Sequence, residues 1–144
     1  MSKQKNIGLF GFGCVGQGFY EGLERSPYNH LEVTSIGVRD EAKPRSLERS
    51  LFSYQPEEVF AKRPTSIIEA VDGADDGFEL VSTALQKSLP TVTANKKMVA
   101  ENFARLLQLQ QQNDVGLLYE AAVAGGIPII RTLDQYYRGE QIFE

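Results

Sequence analysis

The chain has 144 residues, a formal net charge of −4, 42% hydrophobic and 24% charged residues, which are the proportions of an ordinary globular domain with one hydrophobic core. The acidic balance argues against a general nucleic-acid binder. No stretch approaches the ~20 apolar residues that span a bilayer, so no membrane role is expected and the cytoplasm is the default location. A single cysteine, Cys14, rules out an intrachain disulfide and a cysteine-based zinc site.

Apolar runs and helical patterns alternate along the chain. Ile7 to Phe10 is a short apolar run that reads as a buried strand. Cys14 to Arg25 carries Val15, Phe19 and Leu23 at a helical spacing of four, and Pro27 ends that helix. Glu32 to Val38, rich in Val, Ile and Thr, predicts a second strand. Residues 39–64 are polar and punctuated by proline, which predicts a loop with one short helix around Pro56 to Ala61. Ser66 to Val71 predicts a third strand, and Asp72 to Gly77 reads as a turn. A helix follows over Phe78 to Gln86, then a short strand over Pro90 to Thr93. Lys96 to Asn113 has no internal proline or glycine and gives the clearest helical pattern. Val115 to Tyr119 predicts a fifth strand and Ile127 to Tyr137 a last helix, with Pro128 tolerated in its first turn. Strands that alternate with helices predict an α/β fold of the Rossmann type: a doubly wound parallel sheet with helices on both faces.

Gly11-Phe12-Gly13-Cys14-Val15-Gly16 is a G-x-G-x-x-G between the first strand and the first helix. That context makes it a dinucleotide-binding loop. Gly11 permits the tight turn, Gly13 lets a pyrophosphate approach the backbone, and Gly16 lets the helix lie close to the strand. Cys14 and Val15 open the helix, whose N–H groups and dipole attract the phosphates. An acid after the second strand suits the ribose of NAD, and an arginine suits the 2′-phosphate of NADP. The sequence offers both, Arg39 then Asp40, with Lys43 and Arg45 behind. The local basic excess favours NADP over NAD.

Thr93-Ala94-Asn95-Lys96-Lys97 joins the fourth strand to the long helix. Ligands of an open parallel sheet bind beyond the carboxyl ends of its strands, so Thr93, Asn95 and Lys96 are expected near the nicotinamide. Asn95 can cap the helix. Two lysines at a helix start oppose its dipole, and either a substrate-facing lysine or a plain exposed pair accounts for them.

Four segments together resemble the homoserine dehydrogenases: Gly-Leu-Phe-Gly-Phe-Gly-Cys-Val-Gly at 8–16, Val-Arg-Asp at 38–40, Thr-Ala-Asn-Lys-Lys at 93–97, and Tyr-Glu-Ala-Ala-Val-Ala-Gly-Gly-Ile-Pro-Ile-Ile at 119–130. The resemblance covers nearly the whole chain. It implies reversible oxidation of L-homoserine to L-aspartate 4-semialdehyde with NADP or NAD, a step toward threonine, methionine and isoleucine. It implies that Lys96 is catalytic, working with a second lysine from a substrate domain. It also implies a sodium or similar ion held by Glu120 and the carbonyls of Val123, Gly125 and Ile127, oxygen ligands that suit a hard cation.

The family chains continue well past position 144 into a domain that binds substrate and dimerises. The 144 residues are therefore expected to bind coenzyme without turning over homoserine. The full-length enzyme is expected to be a homodimer, and this piece can then be monomeric. The loop at 71–76 is more acidic than the family's usual glycine-rich one. Another amino-acid or sugar oxidoreductase, or a non-catalytic NAD(P)H-sensing module, is the alternative. Cys14 reads as a redox switch or, equally well, as a small buried residue, and the lone His30 reads as a surface residue. Tyr136, Tyr137 and Phe143 are expected to face the second domain, the alternative being that they fold against this one.

Overall fold

In the computed structural model, residues 4–123, 127 and 129–136 are described. The strands are β1 (Lys5–Phe10), β2 (Leu31–Gly37), β3 (Phe52–Ser53), β4 (Ser66–Glu69), β5 (Thr91–Thr93) and β6 (Leu117–Leu118). The helices are α1 (Cys14–Glu24), α2 (Pro56–Ala61), α3 (Ala74–Gln86), α4 (Lys96–Asn113) and α5 (Ile129–Tyr136). All strand pairings are parallel, in the order β3-β2-β1-β4-β5-β6. This is the doubly wound Rossmann order, whose direction reverses between β1 and β4.

Alternation along β1 sends side chains to two cores. Ile7 and Leu9 join Val33, Ile36 and Phe52 on one face, where Phe19, Tyr20 and Leu23 of α1 cover them. Phe10 joins Ile67 on the other face, under Val59 of α2 and Ala84 of α3. A third cluster fills the space between α3 and α4, with Val81, Leu85, Met98, Val99 and Leu106 packed against Leu117. The helical spacing over α1 is only partly an inward stripe: Val15 is 57% exposed, while Gly16 is the buried position of the first turn.

The elements differ from the sequence expectation mainly at their ends. The turn expected at Asp72 to Gly77 is the start of α3, with Gly73 extended as its N-cap and Asp75 and Asp76 in the first turn. Acidic side chains there complement the helix dipole, so residues that read as turn-formers serve as a helix start. The loop expected over residues 39–64 contains a 3-10 turn at Arg49–Leu51 and the edge strand β3. Two residues are too few to show a strand period, and β3 exists only because Ile36 and Gly37 offer it a partner. The strand over Val115 to Tyr119 shortens to two residues, and β4 ends at Glu69 rather than Val71. Helix α4 runs as expected, with one non-helical residue, Asn102, inside it. The last helix is described from Ile129 to Tyr136; Pro128 and Tyr137 lie outside the described residues. Among the described residues no helix is long and apolar enough to cross a membrane.

Candidate functional site

The glycine loop leaves β1 at the reversal point of the sheet, where open parallel sheets bind their ligands. Gly11 has φ +91°, in the region that side chains rarely adopt. A Cβ there would stand 2.3 Å from the Ala70 carbonyl oxygen. A Cβ on Gly16 would stand 2.1 Å from the Gly11 carbonyl oxygen. Both glycines are therefore demanded by the protein's own backbone. Gly13 differs, because a Cβ there would meet no protein atom within 4 Å. Its missing side chain leaves room for something outside the protein. Gly13 is also the N-cap of α1 and supplies no side-chain cap, so the first-turn N–H groups are open to an anion. Cys14 and Val15 are exposed beside it.

A cavity of about 790 Å³ lies over this loop. Its floor is the ends of β1 and β2 and the β4–α3 loop, and its walls are α2 and α3. One rim is net basic, with Arg39, Lys43 and Arg45 against Asp40 and Glu57; the other is net acidic, with Asp72, Asp76 and Glu79 against Lys87. Arg39 donates from Nη1 to Asp76 Oδ2 at 2.7 Å. Asp40, beside Arg39, accepts the Ala42 N–H at 2.9 Å. The residues expected to meet adenosine thus gather at one mouth.

On the other side of the reversal point the chemistry turns inward. Glu69, the last residue of β4, is fully buried. Its carboxylate accepts the Thr93 hydroxyl at 2.5 Å, the Val71 N–H at 2.9 Å and the Asn95 side-chain amide at 3.5 Å. Burial pushes the Glu69 carboxyl above its ordinary range, against the opposing pull of those hydrogen bonds. Asn95 also donates to the carbonyls of Val71 and Gly73, at 3.1 and 2.9 Å. Its Oδ1 caps α4 through the Met98 N–H at 3.1 Å. Gly77 completes the cluster, since a Cβ there would lie 2.6 Å from Asn95 Nδ2.

The side chains of Thr93 and Asn95 are therefore engaged with Glu69 and the β4–α3 loop, and neither lines the cavity. Lys96, the first residue of α4, is exposed and makes no ion pair among the described residues; Lys97 lies 3.8 Å from Glu101. Glu69 escaped the sequence reading, and Asp76 entered it only as part of an acidic turn, not as a partner of Arg39. A lone acid closing the apolar run Ser66-Ile67-Ile68-Glu69 was the available signal for Glu69.

Of the ion ligands suggested by resemblance, Glu120 sits in a 3-10 turn at Glu120–Ala122. Its carboxylate accepts the Arg131 N–H at 3.1 Å and lies 3.6 Å from Arg131 Nε. Val123 and Ile127 follow, while Gly125 lies outside the described residues. The donors are hard oxygens, as a hard cation requires, but Arg131 already neutralises the one carboxylate. Among the described residues no cluster of three or more His, Cys, Asp or Glu could hold a metal ion.

Comparison with known proteins agrees with this geometry. The family model described as "Homoserine dehydrogenase, NAD binding domain" matches residues 11–120. A homoserine dehydrogenase of Synechocystis sp. is 35% identical over 94% of this chain and 33% of its own length. One from Corynebacterium glutamicum is 34% identical over 94% of this chain and 33% of its own. The chain thus spans about a third of the length of these relatives. The crystal structure of a homoserine dehydrogenase from Thiobacillus denitrificans superposes with a TM-score of 0.83 at 31% identity, covering 95% of this chain and 34% of that one. A hyperthermophilic archaeal homoserine dehydrogenase solved in complex with NADPH gives 0.74 at 26%, covering 90% and 48%. With the glycine loop at the reversal point and the match running from that loop to Glu120, the chain belongs to the homoserine dehydrogenase NAD-binding-domain family.

Proposed function

We propose that the chain is the coenzyme-binding part of a cytoplasmic enzyme that interconverts L-homoserine and L-aspartate 4-semialdehyde with NADP or NAD, in the synthesis of threonine, methionine and isoleucine. The observation that carries the coenzyme reading is Gly13, a glycine with open space where its Cβ would be, set at the uncapped start of α1. The residues fit a dinucleotide. Gly11, Gly13, Cys14, Val15 and Gly16 would hold the pyrophosphate, and Arg39 at the cavity mouth would hold the adenosine end. Arg39, with Lys43 and Arg45 behind it, inclines the site toward NADP.

When bound, the nicotinamide takes the hydride that leaves the alcohol carbon. The chain's own contribution there is Lys96. It starts α4 beyond the carboxyl end of β5, where, with a second lysine of the substrate domain, it passes the hydroxyl proton as the carbonyl forms. Thr93 and Asn95 act by holding the start of α4, which sets where Lys96 stands. Substrate grip, the second lysine and dimerisation belong to protein outside these residues, so the chain binds coenzyme and does not turn over. Glu120 with the carbonyls of Val123, Gly125 and Ile127 is the sodium site, if Arg131 yields the carboxylate; no part of the chemistry depends on it.

The test is a calorimetric titration of the chain with NADPH and with NADH, repeated on Lys96→Ala. Saturable binding is expected in the wild type and is retained by the variant. In a longer chain that oxidises homoserine, the same substitution abolishes turnover. Failure of both coenzymes to bind overturns the coenzyme reading; undiminished turnover overturns the role of Lys96.

A further inference from the structure

The coenzyme cavity has two charged rims, and one ion pair joins them. Arg39 stands at the end of the basic rim and reaches Asp76, in the first turn of α3, at 2.7 Å. Two neighbouring charges have other engagements. Arg45 lies over the Phe52 ring, 5.1 Å from its centroid, and donates to the Lys43 carbonyl at 3.0 Å. Asp40 closes a local turn on Ala42. The guanidinium that bridges the mouth is thus already partnered by a carboxylate from the opposite wall.

Resting on the coenzyme reading above, we propose that Asp76 is a specificity-determining residue that competes with the adenosine 2′-phosphate for Arg39. A ribose 2′-hydroxyl is neutral and leaves the Arg39–Asp76 pair intact. A 2′-phosphate is an anion whose oxygens present the same acceptor geometry to a guanidinium as a carboxylate does. To receive it, Arg39 must turn away from Asp76, and the released carboxylate then faces the phosphate across the same mouth. Arg39 therefore exchanges one anion for another and gains less than an unpaired arginine would. The side chains of Arg39 and Asp76 are 80% and 50% exposed, so water and salt weaken the pair. The exchange is accordingly easy, its effect moderate, and its size dependent on ionic strength.

The experiment titrates NADPH and NADH into the wild type, Asp76→Asn, Arg39→Gln and the double variant, at low and high salt. Asp76→Asn is expected to raise the preference for NADPH over NADH by about five-fold or more at low salt, less at high salt. In the Arg39→Gln background the same substitution is expected to shift the preference far less, because the shared partner is gone. An unchanged preference in Asp76→Asn, or a full shift that persists without Arg39, overturns the role of Asp76 while leaving the coenzyme site standing. Absence of binding by either coenzyme in the wild type overturns the site and this proposal together.

Discussion

The two sides of the sheet's reversal point are built by opposite means. After β1 the chain makes a site by removing side chains: Gly11 and Gly16 have none because backbone carbonyls occupy the space, and Gly13 has none although nothing of the protein is there. After β4 and β5 it makes a support by burying polar side chains, with Glu69, Thr93 and Asn95 knotted together and closed over by Gly77. An empty backbone concavity can admit a ligand's phosphates directly. A saturated polar cluster admits nothing, but it holds two helix starts at a set distance from that concavity. The open half leaves room for a ligand, and the closed half fixes the helix starts.

The largest effect should come from filling the most crowded glycine. Gly16→Ala drives a Cβ to 2.1 Å from the Gly11 carbonyl oxygen, and backbone has no far end that can swing aside. A loss of about 2–4 kcal/mol is expected in denaturant unfolding. A loss under about 0.5 kcal/mol would mean that the loop yields freely and is no rigid concavity.

The closed half breaks next. Glu69→Gln keeps the shape of the side chain and can leave an oxygen facing the donors of Val71 and Asn95, but it puts an amide donor where an oxygen accepted the Thr93 hydroxyl. It should cost about 1–3 kcal/mol. The cost should also depend on pH. Because burial raises the native Glu69 carboxyl above its unfolded value, the native state holds the proton more tightly. The stability this contributes is fully present below the unfolded value and is lost as pH rises through the native one. The gap between wild type and Glu69→Gln should therefore narrow from acid toward neutral pH. A gap that widens over that range would show that the hydrogen bonds outweigh burial.

The smallest effect on stability, and the sharpest contrast, should be at Gly13. Its φ of −83° is ordinary for any residue and its Cβ position is open. Gly13→Ala should move the thermal midpoint by no more than about 0.5 kcal/mol allows, while coenzyme affinity falls at least about ten-fold as the methyl group takes the pyrophosphate's place. Unaltered affinity would place the ligand elsewhere.

Much of this was readable in residue order. The hydrophobic runs, Pro56 at the start of α2 and the unbroken pattern of Lys96–Asn113 located most elements, because apolar period and local breakers act over a few neighbouring residues. The glycine loop was readable for the same reason: its function is a local backbone shape. What escaped was set by partners distant in sequence. The acidic run from Asp72 to Gly77 read as a turn, and only its place above β4 made it the start of α3. Edge strand β3 was invisible because two residues carry no period.

Apart from β3, the chain's order of strands and helices, its glycine loop and the lysine at the start of α4 were determined by the sequence by itself, through short-range sterics and hydrophobic spacing. Only the tertiary structure decided that Glu69 meets Thr93, 24 residues on, and that Arg39 meets Asp76, 37 residues on. Those pairings arise because parallel strands bring successive loops to one edge of the sheet. Charges that look like separate surface groups in sequence then face each other across a single cavity.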